Sequence, residues 1–176
     1  NGYNRISPSG GYLFYPKGSA VNSHGPLFDI SYIWDDIYGL TDKDYKFSYG
    51  IRFQNQAELN IGYRQQYTFL FRDFDPSNSP AESGFSKLPS GSDYSYGNFN
   101  ASVITDPRKL FTLQLAGQAG SYFNGSIRGF SGTINYRWQP YGVFSLNATL
   151  GRIKLPAPYA TANIYLIGPR MDLTLS

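Results

Sequence analysis

From Leu110 to Leu155 apolar and polar residues alternate one by one. Phe111, Leu113, Leu115, Gly117 and Ala119 occupy odd positions, against Thr112, Gln114, Ala116 and Gln118 at even ones. Beyond Asn124-Gly125 the parity inverts. Phe130, Gly132, Ile134, Tyr136 and Trp138 now share the apolar side, and Ser131, Thr133, Asn135 and Arg137 the polar side. Beyond Gln139-Pro140-Tyr141, Phe144, Leu146, Ala148 and Leu150 oppose Ser145, Asn147, Thr149 and Gly151. Successive strand side chains point to opposite sides, so this period of two predicts three strands, each with one apolar and one polar face.

The turns predict how the strands pair. Asn124-Gly125 is a favoured two-residue hairpin loop, because a type I′ turn needs positive φ at both central positions. With the turn placed there, Phe123 faces Ser126, Leu115 faces Ile134, Leu113 faces Tyr136 and Phe111 faces Trp138. The Gln139–Tyr141 loop sets Trp138 opposite Gly142, Tyr136 opposite Phe144, Ile134 opposite Leu146 and Phe130 opposite Leu150. A slip of one residue would carry Thr133 and Asn135 among the leucines, so the assignment of faces is strongly specified.

The same period extends toward the N-terminus. Phe28, Ile30, Tyr32 and Trp34 predict a strand over 27–35, followed by a loop over 36–43. Tyr45, Phe47, Tyr49, Ile51 and Phe53 form the cleanest alternation, and after a turn around Asn55 the strand with Leu59, Ile61 and Tyr63 returns. A polar stretch over 72–93 precedes a strand at 94–105, and Asp106-Pro107 opens a turn with Pro107 at the second position of type I. Pro156 and Pro158 break the chain before a last strand from about Ile164. Residues 1–26 read as an irregular lead-in and 27–176 as one domain. No helical period occurs.

An apolar face on every strand of a meander has two homes, a packed core or lipid. Short turns alternate with longer loops, the Asn124-Gly125 turn excepted, as in outer-membrane barrels, which puts the 72–93 loop outside the cell. The expected fold is therefore all-β, an antiparallel up-and-down transmembrane β-barrel with about eight strands here, complete or part of a larger barrel. The 18% of aromatic residues suits interfacial girdles. It equally suits a soluble carbohydrate-binding sandwich. Mean hydropathy is negative, and no run approaches the ~20 apolar residues of a membrane helix. Barrel strands leave that signal weak, so its absence excludes nothing.

Composition narrows the chemistry. With no cysteine, disulfides and thiolate metal sites are excluded. A net charge of +3, with scattered basic residues, gives no nucleic-acid footprint. His24 is the only histidine and has no nucleophile at triad spacing. Asp35-Asp36 and Asp42/Asp44 do not converge as glycosidase carboxylates. Asp73, Asp75, Ser77 and Ser79 are spaced like the start of a calcium loop but lack its glycine and closing glutamate. No enzyme, metal or cofactor is expected. The chain opens without methionine and closes inside a strand pattern, which reads as a segment of a longer protein.

Two groups of charges stand out. Parity places Lys46, Arg52, Glu58, Arg64, Arg137, Arg170 and Asp172 on the polar, lumen-facing side. They would line an aqueous path with mild anion preference, or form paired charges that plug a narrow interior. Arg128, Arg152 and Lys154 break the apolar parity beside the outer turns, with Arg128 opposite Arg152. There they would contact the anionic groups of lipopolysaccharide, or snorkel to headgroup water.

The runs Thr105–Phe111, Tyr122–Gly125, Asn135–Tyr141, Ile153–Pro156 and Tyr165–Arg170 resemble a family of Bacteroidota outer-membrane barrel proteins of poorly defined function. In that family the barrel follows a domain similar to family-nine carbohydrate-binding modules. The resemblance covers about residues 27–176 and rests on turn and strand-end residues. It implies an outer-membrane location in a Gram-negative cell and transfers no catalytic residue. The expected function is an integral outer-membrane barrel serving as pore, anchor or part of a surface assembly. Its partners would be outer-membrane lipid, lipopolysaccharide and other surface proteins. The alternatives are the barrel part of a glycan-binding or glycan-degrading protein whose active domain lies elsewhere, and the soluble sandwich.

Overall fold

The computed structural model describes residues 2–78 and 84–174. Its strands are β1 (Tyr3–Ile6), β2 (Ser9–Gly11), β3 (Val21–Asp35), β4 (Gly39–Phe53), β5 (Glu58–Phe69), β6 (Asp93–Ile104), β7 (Phe111–Tyr122), β8 (Gly125–Trp138), β9 (Gly142–Lys154) and β10 (Thr161–Leu173). All belong to one antiparallel sheet. From β3 to β10 each strand pairs with the next in sequence, and β1 and β2 lie one after the other along the free side of β3. The alternating segments became the eight long strands, because each can place a row of branched and aromatic side chains on one side of a pleated surface.

The lead-in is more ordered than its composition predicts. Tyr12 N–H donates to Pro26 O at 3.1 Å, and Phe14 and His24 exchange backbone hydrogen bonds of 2.8 and 3.0 Å. β3 consequently starts at Val21 instead of Leu27. Gly and Pro hid this segment from a propensity reading. Pro26 is tolerated there because its carbonyl, not its missing N–H, makes the bond to Tyr12.

The expected loop over 36–43 is a tight turn over 36–38, where the Asp35 carboxylate accepts from Ile37 N at 2.8 Å and Tyr38 N at 3.2 Å. The β7–β8 turn also differs. Its tip is Phe123-Asn124, with Tyr122 opposite Gly125, Leu113 opposite Ile134 and Phe111 opposite Tyr136. The ladder is therefore displaced by two residues from the expected one. A displacement of two preserves which side each residue faces. The β8–β9 ladder has the expected register, including Arg128 opposite Arg152.

The sheet is open. β1 and β10 are its two edges and, among the described residues, are not hydrogen-bonded to each other, so these strands do not close into a ring by themselves. The strands form one continuous sheet, not the two packed sheets of a sandwich. The accessible surface is 11839 Å², against roughly 8,600 Å² for a folded soluble monomer of this mass. The excess reflects an open single sheet that has no second layer on either face.

Two ends of the sheet can be told apart. The turn end carries the short connections 54–57, 105–110 and 139–141. The loop end carries 36–38, 70–92, 123–124 and 155–160. At the loop end lies an apolar cluster of buried Leu70, Leu88, Tyr96 and Phe123, flanked by Tyr94, Tyr122 and Tyr159. Residues 70–78 and 84–92 reach it by prolonging the β5–β6 hairpin: Leu70 N–H donates to Ser92 O, and Phe74 and Leu88 exchange backbone bonds of 2.9 and 2.8 Å.

Candidate functional site

Register divides the strand charges between two faces. The polar face holds Asp29, Asp42, Asp44 and Glu58 together with Arg5, Lys46, Arg52 and Arg64 on β1 and β3–β5. It also holds Arg137 on β8 and Arg170 and Asp172 on β10. Three of its six cations, Arg52, Arg64 and Arg170, have carboxylate partners among the described residues, while Arg5 bonds the Ser7 and Ser31 hydroxyls. Arg64 makes a two-pronged contact with Asp44 at 2.8 and 2.7 Å, and Arg52 meets Glu58, its cross-strand partner, at 2.7 Å. Arg170 and Asp172, two residues apart on the edge strand, pair at 3.0 Å. Lys46 lies in register between Asp29 and Arg64, and neither it nor Arg137 has a carboxylate within ion-pair distance among the described residues.

Between these pairs the face is a net of hydroxyls and amides. Asn135 donates to Thr112 Oγ1 at 3.3 Å and accepts from Ser145 Oγ at 2.7 Å, and Thr133 Oγ1 donates to Asn147 Oδ1 at 2.8 Å. Small side chains leave a hollow of about 380 Å³ over β6–β10, lined by Asn100, Ser102, Gln118, Ser131, Thr149 and Ile164. Asp44, the partner that fixes Arg64, is weighed in the sequence only as a glycosidase carboxylate and is not placed with the polar-face charges. The signal that could have found it is its parity, since Asp44 shares the even positions of β4 with Lys46 and Arg52.

The apolar face runs in rows across the strands. One reads Pro26, Tyr49, Ile61, Ala101, Gly117, Phe130, Leu150 and Tyr165; the next reads His24, Ile51, Leu59, Val103, Leu115, Gly132, Ala148 and Ile167. His24 stacks on Phe14 at 5.3 Å, and its Nδ1 bonds the Tyr49 hydroxyl at 2.6 Å. Aromatic rings gather at both ends. Trp138 and Tyr141 lie 5.2 Å apart at the turn end, and Tyr38, Phe69 and Phe71 lie within 5.7 Å of one another at the loop end.

Strand cations on the apolar face occur only toward the loop end. Arg128, Arg152 and Lys154 are exposed and have no carboxylate within ion-pair distance among the described residues. Lys43, which the sequence reading missed, lies at the same end, 5.8 and 5.9 Å from the Tyr32 and Tyr45 ring centres. The one carboxylate whose parity places it on this face is Asp93, the first residue of β6.

The loops hold their acids in turns. Asp75 accepts from Ser77 N and Oγ at 2.8 and 2.6 Å, and Asp73 accepts from Ser90 N at 2.9 Å. Ser79, the last position of the calcium-like spacing, lies outside the described residues. No group of metal-ligating side chains occurs among the described residues. In the 105–110 turn, Asp106 accepts from Arg108 Nε at 3.0 Å and from Arg108 N at 2.9 Å. The guanidinium first, and the backbone N–H second, hold its carboxyl below the usual carboxylate range. No family model, no curated protein and no solved structure matches this chain.

Proposed function

We propose that this sheet is part of the wall of an integral outer-membrane β-barrel in a Gram-negative cell. In this reading the apolar face meets lipid and the polar face lines the interior. The single observation that carries the reading is the segregation of the faces. An apolar side interrupted by cations only toward the loop end stays uncovered, while all strand carboxylates except Asp93 lie on the other side. A soluble domain of this length would bury its apolar rows under a second layer.

The dimensions support the reading. Strands of 12–15 residues exceed the ~9–11 that a tilted strand needs to cross a bilayer. From Arg128 to Trp138 the chain advances roughly 33 Å, which is about 25 Å of vertical rise at the tilt of barrel strands, the height of their apolar band. Cations bound that band at one end and Trp138 and Tyr141 at the other.

Within that wall the role we infer is anchoring and display at the cell surface, without catalysis. Ion pairs occupy most charges of the polar face, and the Leu70–Leu88–Tyr96–Phe123 cluster fills the loop end. Both favour a plugged interior over an open pore.

The test is fractionation followed by conductance. The protein should stay with the outer membrane through an alkaline carbonate wash and leave it only in detergent. Reconstituted in planar bilayers, it should show no sustained conductance. Release into buffer without detergent would sink the membrane reading; a steady ohmic current would replace the anchor with a pore.

A further inference from the structure

We propose that Arg128, Arg152 and Lys154 form a docking site for the phosphate group of an outer-leaflet glycolipid; this rests on the membrane reading above. Arg128 and Arg152 are direct cross-strand partners, so their Cβ atoms are about 4.5–5.5 Å apart, and Lys154 is the diagonal neighbour of Arg128 at about 7–8 Å. Like charges directly opposite one another destabilise a sheet. On the polar face Arg52, Arg64 and Arg170 have carboxylates of this chain; Arg128, Arg152 and Lys154 have none within reach among the described residues. A phosphate seated between them would supply the missing counter-charge.

The surroundings identify its source. Immediately toward the bilayer, Phe130 pairs with Leu150 and Leu150 with Tyr165. With Ala119 and the two arginines these residues line a shallow groove of about 330 Å³. A phosphate on an acyl chain satisfies both parts, its head between the guanidinium groups and its chain along the groove. Free phosphate would use only the cations. The site also lies at the loop end, the side assigned to the cell exterior, where the leaflet carries phosphorylated glycolipid. Arginine pairs suit this task, because a planar guanidinium binds phosphate oxygens two at a time.

The experiment uses the full chain folded into phosphatidylcholine nanodiscs and titrated with diphosphoryl lipid A. Binding should saturate and should weaken roughly tenfold for Arg128→Gln or Arg152→Gln, and roughly a hundredfold for the double variant. Lys109→Gln, an exposed cation at the turn end, should bind as the parent does. Inorganic phosphate in excess should not displace the lipid. Unchanged affinity in both single variants overturns the proposal, and so does an equal loss in Lys109→Gln. Displacement by inorganic phosphate overturns the lipid assignment in favour of a free-phosphate site. Failure of the parent protein to enter any bilayer defeats the membrane reading and this inference together. A chain that inserts but binds no lipid A defeats the inference alone. Should the double variant not fold, the single variants carry the comparison.

Discussion

Phe123 sits at a turn position with φ of 49°, where bulky residues are uncommon. A left-handed backbone costs a non-glycine residue about 1–2 kcal/mol, whereas burying a phenylalanine contributes about 1.5–3 kcal/mol. Its ring packs 4.9 Å from Tyr96 and 5.4 Å from both Tyr94 and Phe74. Burial wins, and the turn tip moves one residue back from Asn124-Gly125. Gly125 then serves another purpose: a Cβ there would collide with Lys154 O and crowd Leu155, where β8 begins beside β9. The dipeptide located the turn but not its tip, because the deciding contacts come from β6 and the 70–92 segment. Asp106 is the opposite case, legible from Asp-Pro alone. Its carboxyl is held below the ordinary range by Arg108, so its contribution is full above about pH 4, the unfolded value, and is lost as pH falls through the lower folded value. Asp106→Asn should therefore be less stable than the parent at neutral pH, and the difference should close in acid below about pH 4. Urea unfolding of both proteins at neutral and acid pH checks this; a gap that persists below the folded titration would discard the charge account.

At the scale of elements, alternation was a good guide to the strands and a poor one to what joins them. The 72–93 stretch reads as polar from its serines, prolines and glycines, yet Leu88 within it is fully buried and Phe74 pairs with it across the arm. Isolated apolar residues in a polar stretch have no period, so only the distant partners Leu70, Tyr96 and Phe123 reveal their role. The arm is further tied to the β9–β10 connection through Ser86 N–H donating to Pro158 O at 3.3 Å. Leu88→Ala would leave a cavity beneath this cap and should cost about 2–4 kcal/mol. Because Leu88 itself lies outside the strand ladders, while its partner Tyr96 stays held in the β5–β6 ladder, the loss should fall on the arm. Limited proteolysis should cut the variant within 84–92 much faster than the parent, while strand content by circular dichroism stays unchanged. Equal cleavage rates would show that Leu88 does not hold the cap.

For the molecule as a whole, parity established which residues share a face, and it could not establish what that face meets. An apolar row reads identically whether lipid or a second sheet covers it. Closure was illegible for a related reason: the alternation along β10 gives Tyr165, Ile167, Pro169 and Met171 a common side but names no partner for the strand's outer backbone. Charge placement now separates the environments by depth. In a bilayer, arginine on the lipid face costs about 2–4 kcal/mol at the midplane and about 0–1 kcal/mol near the interface. Ile134 lies midway along the apolar face of β8, Ser126 lies at its cationic rim, and Thr133 lies at Ile134's level on the polar face. Ile134→Arg should accordingly destabilise by about 2–4 kcal/mol, and Ser126→Arg by no more than about 1 kcal/mol. Thr133→Arg, facing the hydrated interior, should resemble Ser126→Arg. Urea titration of each variant folded in phosphatidylcholine vesicles, followed by Trp34 and Trp138 fluorescence, measures the three costs. In water the depth of a residue along a strand has no meaning, and surface substitutions stay within about 0.5 kcal/mol of one another. A cost at Ile134 no larger than at Ser126 would therefore remove lipid from the apolar face and leave a missing protein layer as what covers it.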